Sequence, residues 1–348
     1  MRRQRTTLQD IADRVGVTKM TVSRYLNNPN NVAKNTQKKI AEVIDELGFI
    51  PNRVPAMLSK ASSKAIGVLI SSFSNMVFAD LINGIKSVAK KSGYSVLIMH
   101  TGYSAESEEE QINALLSYQV DAIILTEEIH SEISVKRLKL AKIPIVEVMG
   151  YVENPINMTV GVDTFNTAYA VTRGLIEAGR KNIAYFGVRL DYRTLQRQRG
   201  YEKAMHEAGL KGLSLEIQEH SNFSLGSSLM MKTYEKNPNL DAVFCTNDDV
   251  AVGALFACLK LKLSIPKDIS IVGYNGLNIG TVTEPKLCSI STPRFNMGAL
   301  ATRMIIEKLT AKFTGMQHIK VPVQITEGNS LTKHEYNCIK ECLEKYAN

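Results

Sequence analysis

No stretch of this 348-residue chain approaches the roughly 20 consecutive apolar residues that a bilayer-spanning helix needs. The opening run MRRQRTTLQD has no apolar segment behind its positive charges, which argues against a secretory signal. Five cysteines (Cys245, Cys258, Cys288, Cys338, Cys342) form an odd set without a Cys-x-x-Cys pair. That argues against a disulfide framework or a structural zinc site and fits a reducing compartment. The expected location is the cytoplasm, with no membrane contact. Catalytic signatures are missing as well. There is no Gly-x-Ser-x-Gly, no Gly-x-x-x-x-Gly-Lys-Ser/Thr, no Gly-x-Gly-x-x-Gly after a strand and no His-x-x-x-His. The six histidines are scattered and read as surface or packing residues. Glu108-Glu109-Glu110 reads as the acidic first turn of a helix, where the dipole favours carboxylates. Asp248-Asp249, after Asn247, reads as a pair of capping acids at a strand-to-helix junction. The chain is therefore expected to be no enzyme, with no catalytic residue, metal or cofactor.

What is present is a charge asymmetry. The net charge is +8, and residues 1–60 carry +6 of it, from eleven Lys/Arg against five acids. A basic N-terminus on a near-neutral body points to a polyanionic partner. A length of 348 residues suits a small headpiece plus a two-lobed body rather than one small core.

Three short helices are predicted within residues 7–47. Leu8, Ile11, Ala12 and Val15 make one apolar face at i, i+3, i+4 and i+7. Thr7 with Asp10 has capping-box spacing. Gly16 breaks the pattern, Thr18 can cap a second helix over 19–26, and Asn27-Asn28-Pro29 ends it. A third helix is expected over 34–47, with Ile40, Val43, Ile44 and Leu47 inward and Gly48 and Pro51 beyond its end. Residues 52–65, NRVPAMLSKASSKA, are a connector of small and basic residues.

The chain then alternates short aliphatic strands with amphipathic helices. Strands are expected over 66–71, 95–99, 122–125 and 145–148, then over 183–186, 215–218, 242–245 and 269–272. Helices include 78–92, 108–118 and 167–178. Such alternation implies parallel sheets covered on both faces. The two series divide near 161–164 into two similar lobes. Residues 293–311 (helix) and 321–325 (strand) are read as the chain recrossing between lobes. A cleft at the carboxyl ends of two doubly wound sheets is where a small ligand binds. In the final stretch EYNCIKECLEKYAN, Ile339, Leu343 and Tyr346 align over two turns, too few for a coiled coil and so no support for a tetramer.

A helix, a Gly-containing turn and a second helix of about eight residues is the minimum for a helix-turn-helix. The second helix would present Lys19, Met20, Thr21, Ser23 and Arg24 while Val22 and Leu26 anchor it. Lys19 and Arg24 can donate to guanine O6 and N7, and Met20 can press on a thymine methyl. The segment TLQDIADRVGVTKMTVSRYLNN, followed by ELGFIPNRVPAML, resembles the headpiece and hinge of the lac repressor (LacI/GalR) family. The resemblance is dense over about the first 60 residues and weaker beyond. It implies an all-α helix-turn-helix headpiece and hinge helix, then an α/β periplasmic-binding-protein-like body of two doubly wound parallel-sheet lobes. The implied domains are 1–50 headpiece, 51–65 hinge and linker, 66–330 body and 331–348 tail. The lobes are 66–161 plus 293–318, and 162–292 plus 319–330. DNA contacts are expected from Thr7, Thr18, Lys19, Met20, Thr21, Ser23, Arg24, Asn27, Asn52, Arg53 and Leu58, with Leu58 a minor-groove wedge. Two departures stand out. Ala33 replaces a usual capping Ser, at a cost of about 1 kcal/mol, and Pro55 stands where Ala is common in the hinge.

The same resemblance places an effector pocket at the strand ends. Matching positions are Ser71, Phe78, Thr126 and Met149 in the first lobe and Arg193, Arg197, Asn247 and Asn275 in the second. The family often has Asp at the positions of Met149 and Asn275. Losing both carboxylates while keeping the arginines turns the pocket toward anions, unless those arginines face solvent. ADRVGVTKMTVSR, VFCTNDDVAVGA and NIGTVTEPKL look like the gluconate-repressor branch, so a sugar acid is the expected effector. The expected partners are a near-palindromic DNA operator, that acid and a second copy of the chain. Three rivals stay open: a catabolite-control regulator with a phosphorylated protein partner, a sugar-binding transport protein, and an enzyme acting in the cleft.

Overall fold

A computed structural model describes residues 6–51 and 62–348. The chain divides into an N-terminal unit up to Ser63 and a body from Lys64 onward. Asn52, Arg53 and Leu58, with the 52–61 part of the expected hinge, lie outside the described residues.

The N-terminal unit holds helices α1 (Leu8–Val15), α2 (Lys19–Asn27) and α3 (Lys34–Leu47). Local chemistry sets their ends. The Thr7 hydroxyl accepts from the Asp10 amide at 3.3 Å, and the Asp10 carboxylate accepts from the Thr7 amide at 2.7 Å, a complete capping box. Gly16 closes α1 at φ +79°, a conformation glycine adopts without penalty. Thr18 caps α2. Ala33 leaves α3 without a side-chain cap. Gln37 ties the preceding turn down instead, donating to the carbonyls of Pro29 (2.8 Å) and Val32 (2.7 Å). Ile11, Ala12, Val22 and Ile40 form the buried centre, with Leu26, Val43, Ile44 and Leu47 packed around it.

The body contains two six-stranded sheets. The first comprises β1 (Ala65–Ile70), β2 (Ser95–His100), β3 (Ala122–Leu125), β4 (Ile145–Gly150), β5 (Met158–Val162) and β11 (His318–Lys320). Their order is β11-β5-β4-β3-β1-β2, parallel throughout. The second comprises β6 (Ile183–Val188), β7 (Leu213–Ile217), β8 (Ala242–Cys245), β9 (Ser270–Asn275), β10 (Cys288–Ser291) and β12 (Gln324–Ile325). It repeats the order, β12-β10-β9-β8-β6-β7, with only β12 antiparallel. In each sheet the order reverses between the first and third strands, and crevices form outside the carboxyl ends of such strands.

Helices α4 (Val77–Lys91), α5 (Ala105–Ser117), α6 (Glu132–Ala141) and α11 (Arg294–Leu309) belong to the first lobe. Helices α7 (Thr164–Glu177), α8 (Tyr192–Glu207), α9 (Phe223–Lys236), α10 (Asp248–Lys260) and α12 (Lys333–Tyr346) belong to the second. The chain crosses between lobes after β5, after β10 and after β11.

Three features depart from the sequence reading. Strand β5 lies where only a boundary was expected. Its Gly161 is there because a Cβ would sit 2.1 Å from the Gly150 backbone on the neighbouring strand. Strand β10 was not expected, and of the strand expected over 321–325 only β12 (Gln324–Ile325) forms, while β11 (His318–Lys320), just before it, joins the other sheet. Finally, from Lys333 the expected tail is helix α12, built into the second lobe. Its Ile339 and Leu343 are buried, and Gly174 on α7 leaves room for the Ile339 backbone, which a Cβ would meet at 2.5 Å.

Candidate functional site

On the N-terminal unit, α2 turns Lys19, Met20 and Arg24 outward, Met20 being 69% exposed. Met20, Arg24 and Asn27 follow at i, i+4 and i+7 along one face. Among the described residues neither Lys19 nor Arg24 has a carboxylate within 4.0 Å, whereas Arg14 is paired with Glu46 at 2.5 Å. Thr21 and Ser23 are half-buried. Thr7 and Thr18 spend their hydroxyls as caps, and the Asn27 amide donates to the Ser23 carbonyl at 3.0 Å. The helix thus offers two uncompensated cations and a thioether on a rigid, solvent-facing surface. Such a surface can reach phosphates and base edges.

In the body, the carboxyl ends of the two sheets face each other across a cleft. Its inner cavity, of about 50 Å³, is lined by Met149, Arg193, Arg197, Asn247 and Asn275, together with Asn75, Arg189, Asp191, Thr194 and Tyr274. A wider mouth of about 390 Å³ includes Ser71, His100, Tyr103, His220, Ser221 and Asp249, and shares Asn75 and Arg189 with the inner cavity. The inner space holds a few waters at most, so a larger guest must part the lobes. Thr126 is buried beside the cleft, and its carbonyl accepts from Arg193 Nη1 at 2.6 Å. Phe78 lies in the hydrophobic core beneath the cleft, only 2% exposed, rather than against the cavity.

Both arginines of α8 point inward, not to solvent. Asp191 caps the helix by accepting from the Thr194 amide at 2.8 Å. Arg193 and Arg197, one turn apart, then project from the N-terminal turns, where the helix dipole also favours an anion. Arg193 approaches Asp191 (3.8 Å) and Glu128 (3.9 Å). Its guanidinium pKa is raised, because these carboxylates and Glu127 outweigh the effect of burial. Burial pushes Glu128 up to about 7 although Arg193 pulls the other way. Burial acts likewise on Asp191, but Arg193 and Arg197 hold its carboxyl below the usual range. Arg197, 8% exposed, meets no carboxylate within 4.0 Å among the described residues. It rests on the Tyr274 ring at 4.5 Å and donates to Thr246 Oγ1 at 3.2 Å.

The carboxylates absent at positions 149 and 275 are therefore supplied from elsewhere, within 4.0 Å of Arg193 and at longer range from Arg197. Asn247 is the cap of α10 and also donates to Ser221 at 2.7 Å. This corrects the expectation that Asp248 and Asp249 are the caps. Asp248 is instead buried, accepting from the Leu277 amide and the Ser289 hydroxyl, both at 2.5 Å.

Sequence reasoning passed over Tyr103, Glu128, Arg189 and Asp191. Arg189 donates to the Tyr103 hydroxyl at 2.9 Å across the cleft, with the guanidinium 4.8 Å from the ring centroid. Arg189 and Asp191 follow the first strand of the second lobe, so the strand-end rule that gave Ser71 could have found them. Tyr103 and Glu128 likewise stand three residues beyond β2 and β3, so the same rule reaches them, although only folding shows which strand-end residues meet.

Two family models match the chain. "Bacterial regulatory proteins, lacI family" covers residues 7–52, and "Periplasmic binding proteins and sugar binding domain of LacI family" covers 63–329. The transcriptional regulators GntR and IdnR of Escherichia coli K12 are each 43% identical to it, over 331 and 332 residues. Each alignment covers 95% of this chain and 100% of the relative. Among solved structures, a LacI-family transcriptional regulator from Silicibacter pomeroyi superposes with a TM-score of 0.88 at 27% identity. That match covers 93% of this chain and 98% of the other.

Proposed function

The chain belongs to the LacI family of bacterial regulatory proteins and is a DNA-binding transcriptional repressor; on that premise we propose that a sugar acid, gluconate or a near relative, controls its operator affinity from the inter-lobe cleft. One observation carries this reading: Arg197 is a buried guanidinium whose neighbours are two hydroxyls and an aromatic ring, not a carboxylate. A buried cation of this kind is stabilised by an anionic guest, and a carboxylate can meet a guanidinium bidentately. The hydroxyl-rich mouth suits the polyol end of such a guest. The similarity to GntR, a gluconate-repressor-like member of the family, supports the same ligand class.

In this mechanism α2 reads base edges through Lys19, Met20 and Arg24, in a cytoplasmic protein, while the connector at 52–61 joins the DNA-reading unit to β1. Binding of the acid replaces the cross-cleft contacts of Arg189 and Arg193 and resets the angle between the lobes. The first lobe passes that change to the connector, and operator affinity falls. Acid and operator then oppose each other through a single coupling free energy, felt equally at both sites.

A second copy of the chain completes the reader. Exposed Phe223 on α9, Phe256 and Leu259 on α10, and Val282 in the adjoining turn are apolar groups on neighbouring elements of the second lobe. Such groups favour pairing with an identical surface, and a two-fold dimer matches a near-palindromic site.

The test is a gel shift with and without D-gluconate. The acid should release the operator from the wild type. Arg197→Ala should keep DNA binding but lose about 100-fold in acid affinity, the worth of a desolvated charge-assisted pair. Normal induction of the variant removes Arg197 from the ligand site.

A further inference from the structure

Three carboxylates gather around Arg193 beside the cleft, and they are not held alike. Asp191 accepts from the Thr194 amide at 2.8 Å. Glu127 accepts from the Ser71 hydroxyl. Glu128 approaches the Arg193 guanidinium only to 3.9 Å, beyond hydrogen-bond distance. Its Oε1 is buried and accepts no hydrogen bond among the described residues. The space this oxygen fills is left by Gly150, where a Cβ would stand 1.9 Å from it.

A buried carboxylate oxygen without a donor is stabilised by a proton, which removes the charge that burial penalises. The surroundings of Glu128 leave that balance close. Burial pushes its pKa up to about 7, Arg193 and Arg197 on α8 pull it down, and Asp191 before α8 and Glu127 on its own loop push it up. Tyr274 on β9 feels its charge, and Gly150 on β4 brings none. His130, two residues on, is engaged with Glu108 and Glu147 instead. Asp248, next to the cleft residue Asn247, is also pushed up by burial to about 7. Unlike Glu128 it has a donor on each oxygen, the Ser289 hydroxyl and the Leu277 amide.

We propose that Glu128 is the proton acceptor of this cleft: a sugar acid entering beside Arg193 and Arg197 is taken up together with one proton, which settles on Glu128. The guest adds a negative charge to a cluster that already sets three carboxylates around Arg193, and Glu128 Oε1 gives up no hydrogen bond on protonation. Binding therefore raises the Glu128 pKa further. By linkage, the guest binds most tightly below pH 7, where Glu128 is already protonated. Affinity falls as pH rises above 7, until Glu128 ionises in the complex as well. The sugar acid itself stays ionised throughout, since its carboxyl titrates far below this range. The inference rests on the sugar-acid reading above and adds to it a control by pH.

Calorimetric titration of the full chain with D-gluconate, in buffers of low and high ionisation enthalpy at matched pH, tests it. The wild type should take up about half a proton per gluconate near pH 7.5. Its affinity should fall about tenfold between about pH 6 and 9, the scale of one like-charge contact in a partly screened site. Glu128→Gln keeps the shape of the neutral side chain. It should abolish the proton uptake and hold the wild type's low-pH affinity across the range. Wild-type binding without proton uptake overturns the proposal. So does a pH dependence that Glu128→Gln retains in full, which would assign the proton to another group, such as His100 or His220 in the mouth. The buffer comparison reads the wild type alone, so the test stands even if the variant folds poorly. If gluconate binds at no pH, the proton acceptor falls together with the sugar-acid reading. If it binds without a linked proton, only the acceptor falls.

Discussion

Met149 and Asn275 close equivalent strands of the two lobes, and both have positive φ, +85° and +110°. Tyr103 and Arg189, the pair that spans the cleft, have φ of +63° and +56°. Backbone of this kind costs of order 1–3 kcal/mol per residue and persists only where the surroundings fix it. Four such residues around one cavity concentrate that cost at the ligand site. Asn275 is held there because its carbonyl accepts from Arg294, which also pairs with Asp80 at 3.0 Å. Asn275→Asp should therefore leave the fold intact while adding a negative charge to the cavity. The expected result is a loss of at least about tenfold in sugar-acid affinity by calorimetry, with the thermal midpoint without ligand unchanged. A variant that binds the acid normally would place Asn275 outside the contact zone. The residue types at 149 and 275 were readable from the sequence. Their backbone conformations were not, because φ at a strand end depends on what packs around it.

At the level of elements, the first lobe is fastened by a buried charge cluster joining α5, the loop before α6, and β4. His130 Nδ1 contacts Glu108 Oε1 at 2.9 Å, and Nε2 faces Glu147 Oε1 at a longer 3.4 Å, with all three side chains at most 4% exposed. Burial opposes the imidazolium, but the two carboxylates prevail and lift the His130 pKa to about 9 from 6.5. The folded state therefore binds this proton more tightly than the unfolded chain. The resulting stabilisation, about 3 kcal/mol, is fully present below pH 6.5 and is lost as pH rises through 9. His130→Gln should destabilise the chain by about 3 kcal/mol in urea unfolding at pH 6, since it strands two buried carboxylates. At pH 10 the gap between variant and wild type should have closed. A gap independent of pH would mean that His130 acts by packing alone. No local pattern announces this cluster, because its members are separated by 22 and 17 positions and meet only through sheet order. The helix ends of the N-terminal unit are the opposite case. Thr7, Gly16, Thr18 and Gly48 act on groups within four residues, so their roles could be read directly.

At the scale of the whole molecule, the repeated strand order of the lobes leaves their carboxyl ends facing a shared cavity, and the pairing of two copies would align two readers on one duplex. Phe256→Glu, on the exposed face of α10, should convert a dimer to a monomer in sedimentation equilibrium at micromolar concentration. Operator affinity should fall about 100-fold or more as the second reader is lost, while sugar-acid binding to each body persists. A Phe256→Glu protein that remains dimeric would direct the search to another face.

Periodicity, caps and breakers determined by themselves that a basic three-helix unit precedes two rounds of strand and helix, because those signals act within one or two turns of the backbone. The tertiary structure alone decided the placing of β11 and β12 in different sheets, the docking of α12 and the pairing of Arg193 with Glu128. Each of these depends on contacts between segments tens to hundreds of positions apart, and no local pattern encodes the partner.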